Sequence, residues 1–250
     1  MIVTLDVAAT PAFGSTRAPA ATVIVIDVLR ATSSIVTALD NGAAGIVPVR
    51  EADEAIAVMR RLGRDRALLC GERESRSIAG FDLDNSPASY TRTRVAGKTL
   101  VLTTTNGTRA LIEAAHGNAT VYCAALLNRA AIVERLATAD GAAQLLCAGN
   151  EGALSFEDVL CAGAIVEALV RHDKHLAISD AARAAATVYG ANAKRLTTAI
   201  ASGTHARALV AKGFAADIAS CAKIDVSRCI PLYAEGVITA SPASRSFAQR

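Results

Sequence analysis

Thr22-Val23-Ile24-Val25-Ile26-Asp27-Val28-Leu29-Arg30-Ala31-Thr32-Ser33-Ser34-Ile35-Val36-Thr37-Ala38-Leu39 is the stretch on which the fold turns. Residues 22–28 are a run of Val and Ile interrupted by a single carboxylate, the length and composition of a strand buried on both faces. Over residues 33–39 the apolar side chains take helical spacing instead, so a strand feeds a helix across a short polar junction. The same alternation repeats outward from here. Short apolar runs at 45–49, 67–70, 99–103, 120–123 and 144–147 are interleaved with helical patterns at 52–62, 107–115 and 129–137. Upstream, residues 2–5 form a further short strand, followed by a Pro/Gly/Ser-containing link through Pro19. This order predicts an α/β fold, a three-layer α/β/α architecture with a largely parallel or mixed sheet.

From Ser155 onward helical patterns dominate, at 156–171, 180–189, 196–201, 205–212 and 215–222. An extended segment at 230–238, with Pro231 near its start, reads as an edge strand, because proline cannot donate to a central ladder. Residues 1–250 are expected to form one unit, with a soft subdomain boundary near 172–180, where Arg171-His172-Asp173-Lys174-His175 interrupts the pattern. The chain contains neither repeats nor low-complexity segments.

Composition narrows the function. At 250 residues and 52% hydrophobic content the chain can bury a large core. The formal charge is +3, with 26 Lys and Arg that are scattered, and aromatics are 4% with no Trp. Neither an electrostatic footprint nor stacking platforms for nucleic acid are present. No apolar stretch reaches membrane-spanning length, and residues 1–7 carry Asp6 and lack the basic start of a signal peptide. The six cysteines have no metal-ligand spacing and read as buried free thiols in a reducing cytoplasm. His172 and His175 read as the surface of a helix end, and the sequence leaves homo-oligomerisation open.

The polar clusters sit where strands end, which is where open α/β sheets bind ligands. Asp27 closes the first strand and could hold a hard cation, while Arg30, Thr32 and Ser33 could hold phosphate oxygens at a helix start. After the strand at 67–70 comes a long charged loop in which Glu72 and Asp82 are candidate Mg²⁺ ligands, ending in Asn85-Ser86-Pro87. Thr103-Thr104-Thr105-Asn106-Gly107-Thr108 is a neutral anion cradle of hydroxyls, amide and helix-terminal N–H groups, without the spacing or lysine of a Walker loop. Gly149-Asn150-Glu151-Gly152 leads to Ser155, Glu157 and Asp158. The last two can be explained by the helix dipole alone or by a metal-binding or water-activating role. Carboxylates, an arginine and hydroxyls gathered at one place suit phosphoryl transfer.

In this order the clusters resemble the 2-phosphosulfolactate phosphatase family of coenzyme M biosynthesis. VIVIDVLRATSSIVTAL, GERESRSIAGFDLDNSPASY, LTTTNGTRAL, ALLNRAA and LLCAGNEGALSFEDVLCAGAIV carry the likeness, over about residues 23–167. The resemblance implies a Mg²⁺-dependent phosphatase that acts on a small phosphorylated hydroxy acid. The loop clusters themselves point to catalysis by Asp27, Arg30, Asn106 and Asp158, and to metal binding by Asp27, Glu72, Asp82 and Glu157. Substrate binding falls to Thr32, Ser33, Thr104, Thr105, Gly107, Thr108 and Asn128. Asp84 stands where the family often has glycine, and an extra carboxylate there could alter substrate charge preference.

Two other nucleophiles compete with a metal-activated water. Asp27 could be phosphorylated, but Leu29 occupies the position at which haloacid-dehalogenase-type phosphatases place a second Asp. Cys123 and Arg129 have the C-x₅-R spacing of thiolate phosphatases, yet Leu126 and Leu127 are poor cradle residues and the usual glycines are missing. A non-catalytic module that senses a phosphorylated metabolite is the rival from a different functional class.

Overall fold

A computed structural model of the chain describes residues 2–11, 20–116 and 119–241, so most of the link leading to Pro19 lies outside the described residues. In its first half the chain runs β1 (Ile2–Ala8), β2 (Thr22–Ile26), α1 (Ala31–Asp40), β3 (Gly45–Pro48), α2 (Ala52–Leu62), β4 (Ala67–Arg73), β5 (Arg76–Ser77), α3 (Arg92–Val95) and β6 (Thr99–Thr103). It continues through α4 (Gly107–Ala114), β7 (Thr120–Ala124), α5 (Arg129–Ala137), β8 (Gly141–Cys147), α6 (Phe156–His172), β9 (Ala177–Ile178) and α7 (Asp180–Asn192). Last come α8 (Leu196–Ser202), α9 (Thr204–Ala211), α10 (Ala215–Cys221), β10 (Pro231–Ala234) and β11 (Val237–Ala240).

The strands form one mixed sheet in the order β5-β4-β6-β3-β11-β10-β7-β2-β8-β1-β9. Two parallel parts, β4-β6-β3 and β7-β2-β8-β1-β9, are joined through the antiparallel β10-β11 hairpin. This is the expected α/β architecture. The expectation of an edge strand at 230–238 is corrected, because the segment is two strands and sits in the middle of the sheet. Pro231 is tolerated because it is the first residue of β10, opposite Ala240 at the end of β11. Glu235 (φ +51°) and Gly236 (φ +79°) both take the left-handed conformation that a two-residue hairpin turn needs.

β2 shows why the sheet is covered on both faces. Ile24 and Ile26 pack into one apolar cluster with Leu160 and Ile165 of α6, while Val23 and Val25 pack into another with Ile35 and Val36 of α1. Alternate side chains of a strand point to opposite faces, so a strand that is apolar at every position needs two cores. Residues 172–180 lead from α6 into β9, which pairs with β1, and α7 then packs back on α6. No helix among the described residues is long and apolar enough to cross a membrane.

Candidate active site

One cavity collects the loops that follow β2, β4, β6 and β8. Asp27 and Arg30 line it from the β2–α1 junction, Glu72 and Ser75 from the β4–β5 hairpin, and Thr105 and Asn106 from the approach to α4. Asn85, Asn150 and Glu151 complete that side. The carboxyl-terminal third contributes His205 and Lys212, at α9 and just beyond it.

Asp27 is fixed by the turn it opens. Its main-chain N–H donates to Thr32 Oγ1 (3.0 Å), the Thr32 hydroxyl donates back to the Asp27 carbonyl (2.7 Å), and Oδ1 accepts the Ala31 N–H (3.1 Å). Oδ2 makes no hydrogen bond among the described residues. A Cβ added to Gly107 would lie 2.6 Å from Oδ2 and 2.5 Å from the Ala31 Cβ, so only glycine lets α4 begin this close to the carboxylate. Burial pushes the Asp27 carboxyl up to about 6. The Ala31 N–H and the charge of His205 pull it down, while the charges of Glu72 and Glu157 push it up.

Arg30 is buried, with its guanidinium stacked 4.0 Å from the centroid of the Phe214 ring. It donates to Asp217 Oδ2 (2.8 Å) and to the Ser75 carbonyl (3.2 Å), which leaves part of its five-donor fork unspent. Glu72 closes the opposite wall by accepting the Ser75 N–H (2.7 Å) and the Thr105 N–H (2.8 Å). Asn106 accepts the Glu151 N–H through Oδ1 (3.2 Å).

Several expected site residues are held in other ways. Asp82, expected as a Mg²⁺ ligand, accepts the Leu69 N–H (2.8 Å), fixes the loop to β4 and does not border the cavity. Asp158 is buried behind Asp27, where it accepts the Val28 N–H (2.8 Å) and the Gly149 N–H (3.2 Å). Burial, then the charges of Asp27 and Glu157, hold its carboxyl well above the usual range. It ties the β2 and β8 loops together and does not line the cavity. Glu157 Oε1 lies 3.0 Å from His205 Nδ1, and its buried Oε2 has no hydrogen-bond partner.

The hydroxyls expected to grip substrate are mostly spent on the main chain. Thr32 braces Asp27, Ser33 donates to the Val28 carbonyl (2.8 Å), and Thr104 and Thr108 each accept the other's N–H (3.0 Å). Asn128 accepts the Ala125 N–H and donates to the carbonyls of Cys123 and Cys229, holding the start of α5. These residues shape the junctions that carry the site. Thr105, Asn106, Asp27, Arg30 and Glu72 are the expected residues that the fold brings to one cavity. Asp84 caps the turn at 86–89 through the Ser86 N–H (2.9 Å) and the Ser89 hydroxyl (2.6 Å), and stays off the cavity wall.

Sequence reasoning missed His205, Asn85 as a lining side chain, and Asp217 as the partner of Arg30. His205 had no ligand spacing to mark it. Burial lowers its affinity for a proton, but the hydrogen bond and charge of Glu157 and the charge of Asp27 outweigh that, and the net shift is upward. The C-x₅-R reading fails on geometry. Cys123 is fully buried, burial drives its thiol far up, and Arg129 is paired with Asp225. All six cysteines are buried and free, as expected.

The charge balance of the cavity fits a bound cation. Asp27, Glu72, Glu74 and Glu151 line it, and among its cations Arg30 is already paired with Asp217. Asn85 has a buried Oδ1 with no hydrogen-bond partner, and of the two Asp27 carboxylate oxygens Oδ1 is the one held by a main-chain N–H. Among the described residues no three His, Cys, Asp or Glu side chains are grouped as a complete protein cage for a metal. Mg²⁺ does not require one, since it is commonly held by one or two carboxylates plus water and substrate phosphate. Asp27 and Glu72 are the carboxylates placed to do this.

Comparison with known sequences gives the chain its relatives. The profile of the 2-phosphosulpholactate phosphatase family matches residues 9–236. A protein of Thermotoga petrophila named a probable 2-phosphosulfolactate phosphatase is 41% identical over 216 residues, 86% of this chain and 90% of that protein. One of the same name from Caldanaerobacter subterraneus subsp. tengcongensis is 41% identical over 219 residues, 88% of this chain and 90% of the relative. Another from Clostridium acetobutylicum is 37% identical over 217 residues, 87% and 91% of the two chains. The matched span runs through every loop that lines the cavity, and the chain belongs to the 2-phosphosulfolactate phosphatase family.

Proposed function

We propose that this chain is a Mg²⁺-dependent phosphatase of small phosphorylated hydroxy acids that converts 2-phosphosulfolactate to 3-sulfolactate and phosphate. The observation that carries the reading is the juxtaposition, on one cavity wall, of the Asp27 carboxylate, whose Oδ1 alone is held by the main chain, with the partly spent fork of Arg30. Mg²⁺ when bound supplies charge for the phosphoryl oxygens and a more acidic water. Asp27 and Glu72 would hold it, and the geometry of both is set by main-chain N–H donors before any ligand arrives.

Arg30 offers its remaining N–H groups to the phosphoryl oxygens, while Asp217 and the Phe214 ring keep the guanidinium from swinging away. Asn106 keeps its side-chain N–H₂ for an oxygen of the substrate or for the attacking water, because its carbonyl is occupied by the Glu151 N–H. Lys212 adds a cation at the rim that suits the acid groups of the substrate. The six free, buried thiols fit a reducing, cytoplasmic setting.

The test is phosphate release from a panel of phosphorylated hydroxy acids, 2-phosphosulfolactate among them, with Mg²⁺ or with a chelator. Release that requires the metal and is fastest for 2-phosphosulfolactate is the expected result. Tight binding of these esters with no release would instead establish a sensor module.

A further inference from the structure

We propose that His205 is the general acid that protonates the departing alcohol oxygen, with Glu157 as its positioning residue; the assignment rests on the phosphatase reading above. Phosphoryl transfer passes through a loose transition state in which negative charge builds on the leaving oxygen. The alkoxide of a hydroxy acid is a poor leaving group and benefits from a proton delivered as the bond breaks. With Mg²⁺ bound, Asp27 and Glu72 would serve as its anionic ligands, while Arg30 is a permanently charged donor and Asn106 an amide, so none of the four would be left as the proton donor to the departing oxygen.

His205 meets the need by position. It borders the same cavity as Asp27 and Arg30. Its Nδ1 faces Glu157 Oε1 at 3.0 Å, which orients the ring and leaves Nε2 as its other proton-bearing atom. Nε2 makes no hydrogen bond among the described residues. Glu157 is only 1% exposed, and its Oε2 has no partner, so the carboxylate is committed to the imidazole as an orienting anion.

The step balances as follows. The water oxygen forms a bond to phosphorus while the bond from phosphorus to the ester oxygen breaks. The electron pair of the broken bond stays on the ester oxygen, which takes the Nε2 proton and leaves as the alcohol. His205 starts as the imidazolium and becomes neutral imidazole, and one proton from the attacking water restores the imidazolium, so the net reaction is ester plus water to alcohol plus inorganic phosphate.

The experiment compares kcat/KM, at saturating Mg²⁺, for the 2-phospho hydroxy acid turned over fastest and for its 3,3-difluorinated analogue, whose alcohol leaves more easily. His205→Gln is expected to lose on the order of 10²–10⁴ on the parent ester and at least about tenfold less on the fluorinated one, with little change in KM. Glu157→Gln should show the same pattern with smaller losses. Equal losses on the two esters by folded variants, or no loss on either, would overturn the assignment. Should neither variant fold, the wild-type leaving-group series decides. A shallow dependence on the acidity of the alcohol supports proton donation, and a steep one overturns it. A wild-type enzyme that releases phosphate from neither ester would sink the phosphatase reading itself, a result distinct from both.

Discussion

Asp27 is held where its negative charge is costly. Its carboxyl is raised from 3.8 to about 6, chiefly by burial. The favourable contribution of its proton is therefore complete below about pH 4 and is lost as pH rises through about 6. Above that, the ionised group costs the metal-free protein up to about 3 kcal/mol. Asp27→Asn should accordingly raise the metal-free Tm by several degrees at pH 7.5, even though it removes activity. Adding Mg²⁺ should raise the Tm of the wild type and leave that of Asp27→Asn nearly unchanged, which thermal melting reads without any substrate. Arg30→Lys keeps the charge but cannot donate to Asp217, Ser75 and a phosphoryl group together, so kcat/KM should fall on the order of 10²-fold. The sequence exposed Asp27, Arg30, Glu72, Thr105 and Asn106 because each follows a recognisable strand. It hid Asp217 and His205, which lie in helices with no motif around them; Asp217 is 187 positions away from Arg30.

The β/α units were legible as elements because apolar periodicity is a local property. The roles of hydroxyls inside the loops were not, since whether Thr32, Ser33, Thr104 or Thr108 faces a ligand or the main chain depends on a turn geometry that composition does not report. The hairpin at 231–240 was misread for a similar reason. Glu-Gly is a less familiar turn pair than Asn-Gly, and Pro231 suggested an edge. Gly107 is where element packing and site chemistry meet. Gly107→Ala would force its methyl against Ala31 and Asp27, and should destabilise by about 1–3 kcal/mol. It should also weaken Mg²⁺-dependent activity by displacing Asp27. Urea unfolding together with a phosphate assay checks both.

Across the whole molecule, a sheet covered on both faces places every cysteine out of reach. Burial raises the thiols of Cys221 and Cys229 to about 12 and drives the other four up as well. A thiol reagent at pH 8 should therefore label none of the six in the folded protein and all of them in denaturant. The same burial separates two of the chemistries this sequence could have supported, a metal-activated water beside Asp27 and a Cys123 thiolate. The deciding measurement is Mg²⁺-dependent kcat/KM on 2-phosphosulfolactate for Asp27→Asn and Cys123→Ser side by side, with the fold of each verified by melting. The account predicts that Cys123→Ser stays within about threefold of wild type while Asp27→Asn falls by about 10³ or more. A folded Cys123→Ser protein that binds the ester but releases no phosphate, or an Asp27→Asn protein of undiminished rate, would contradict it.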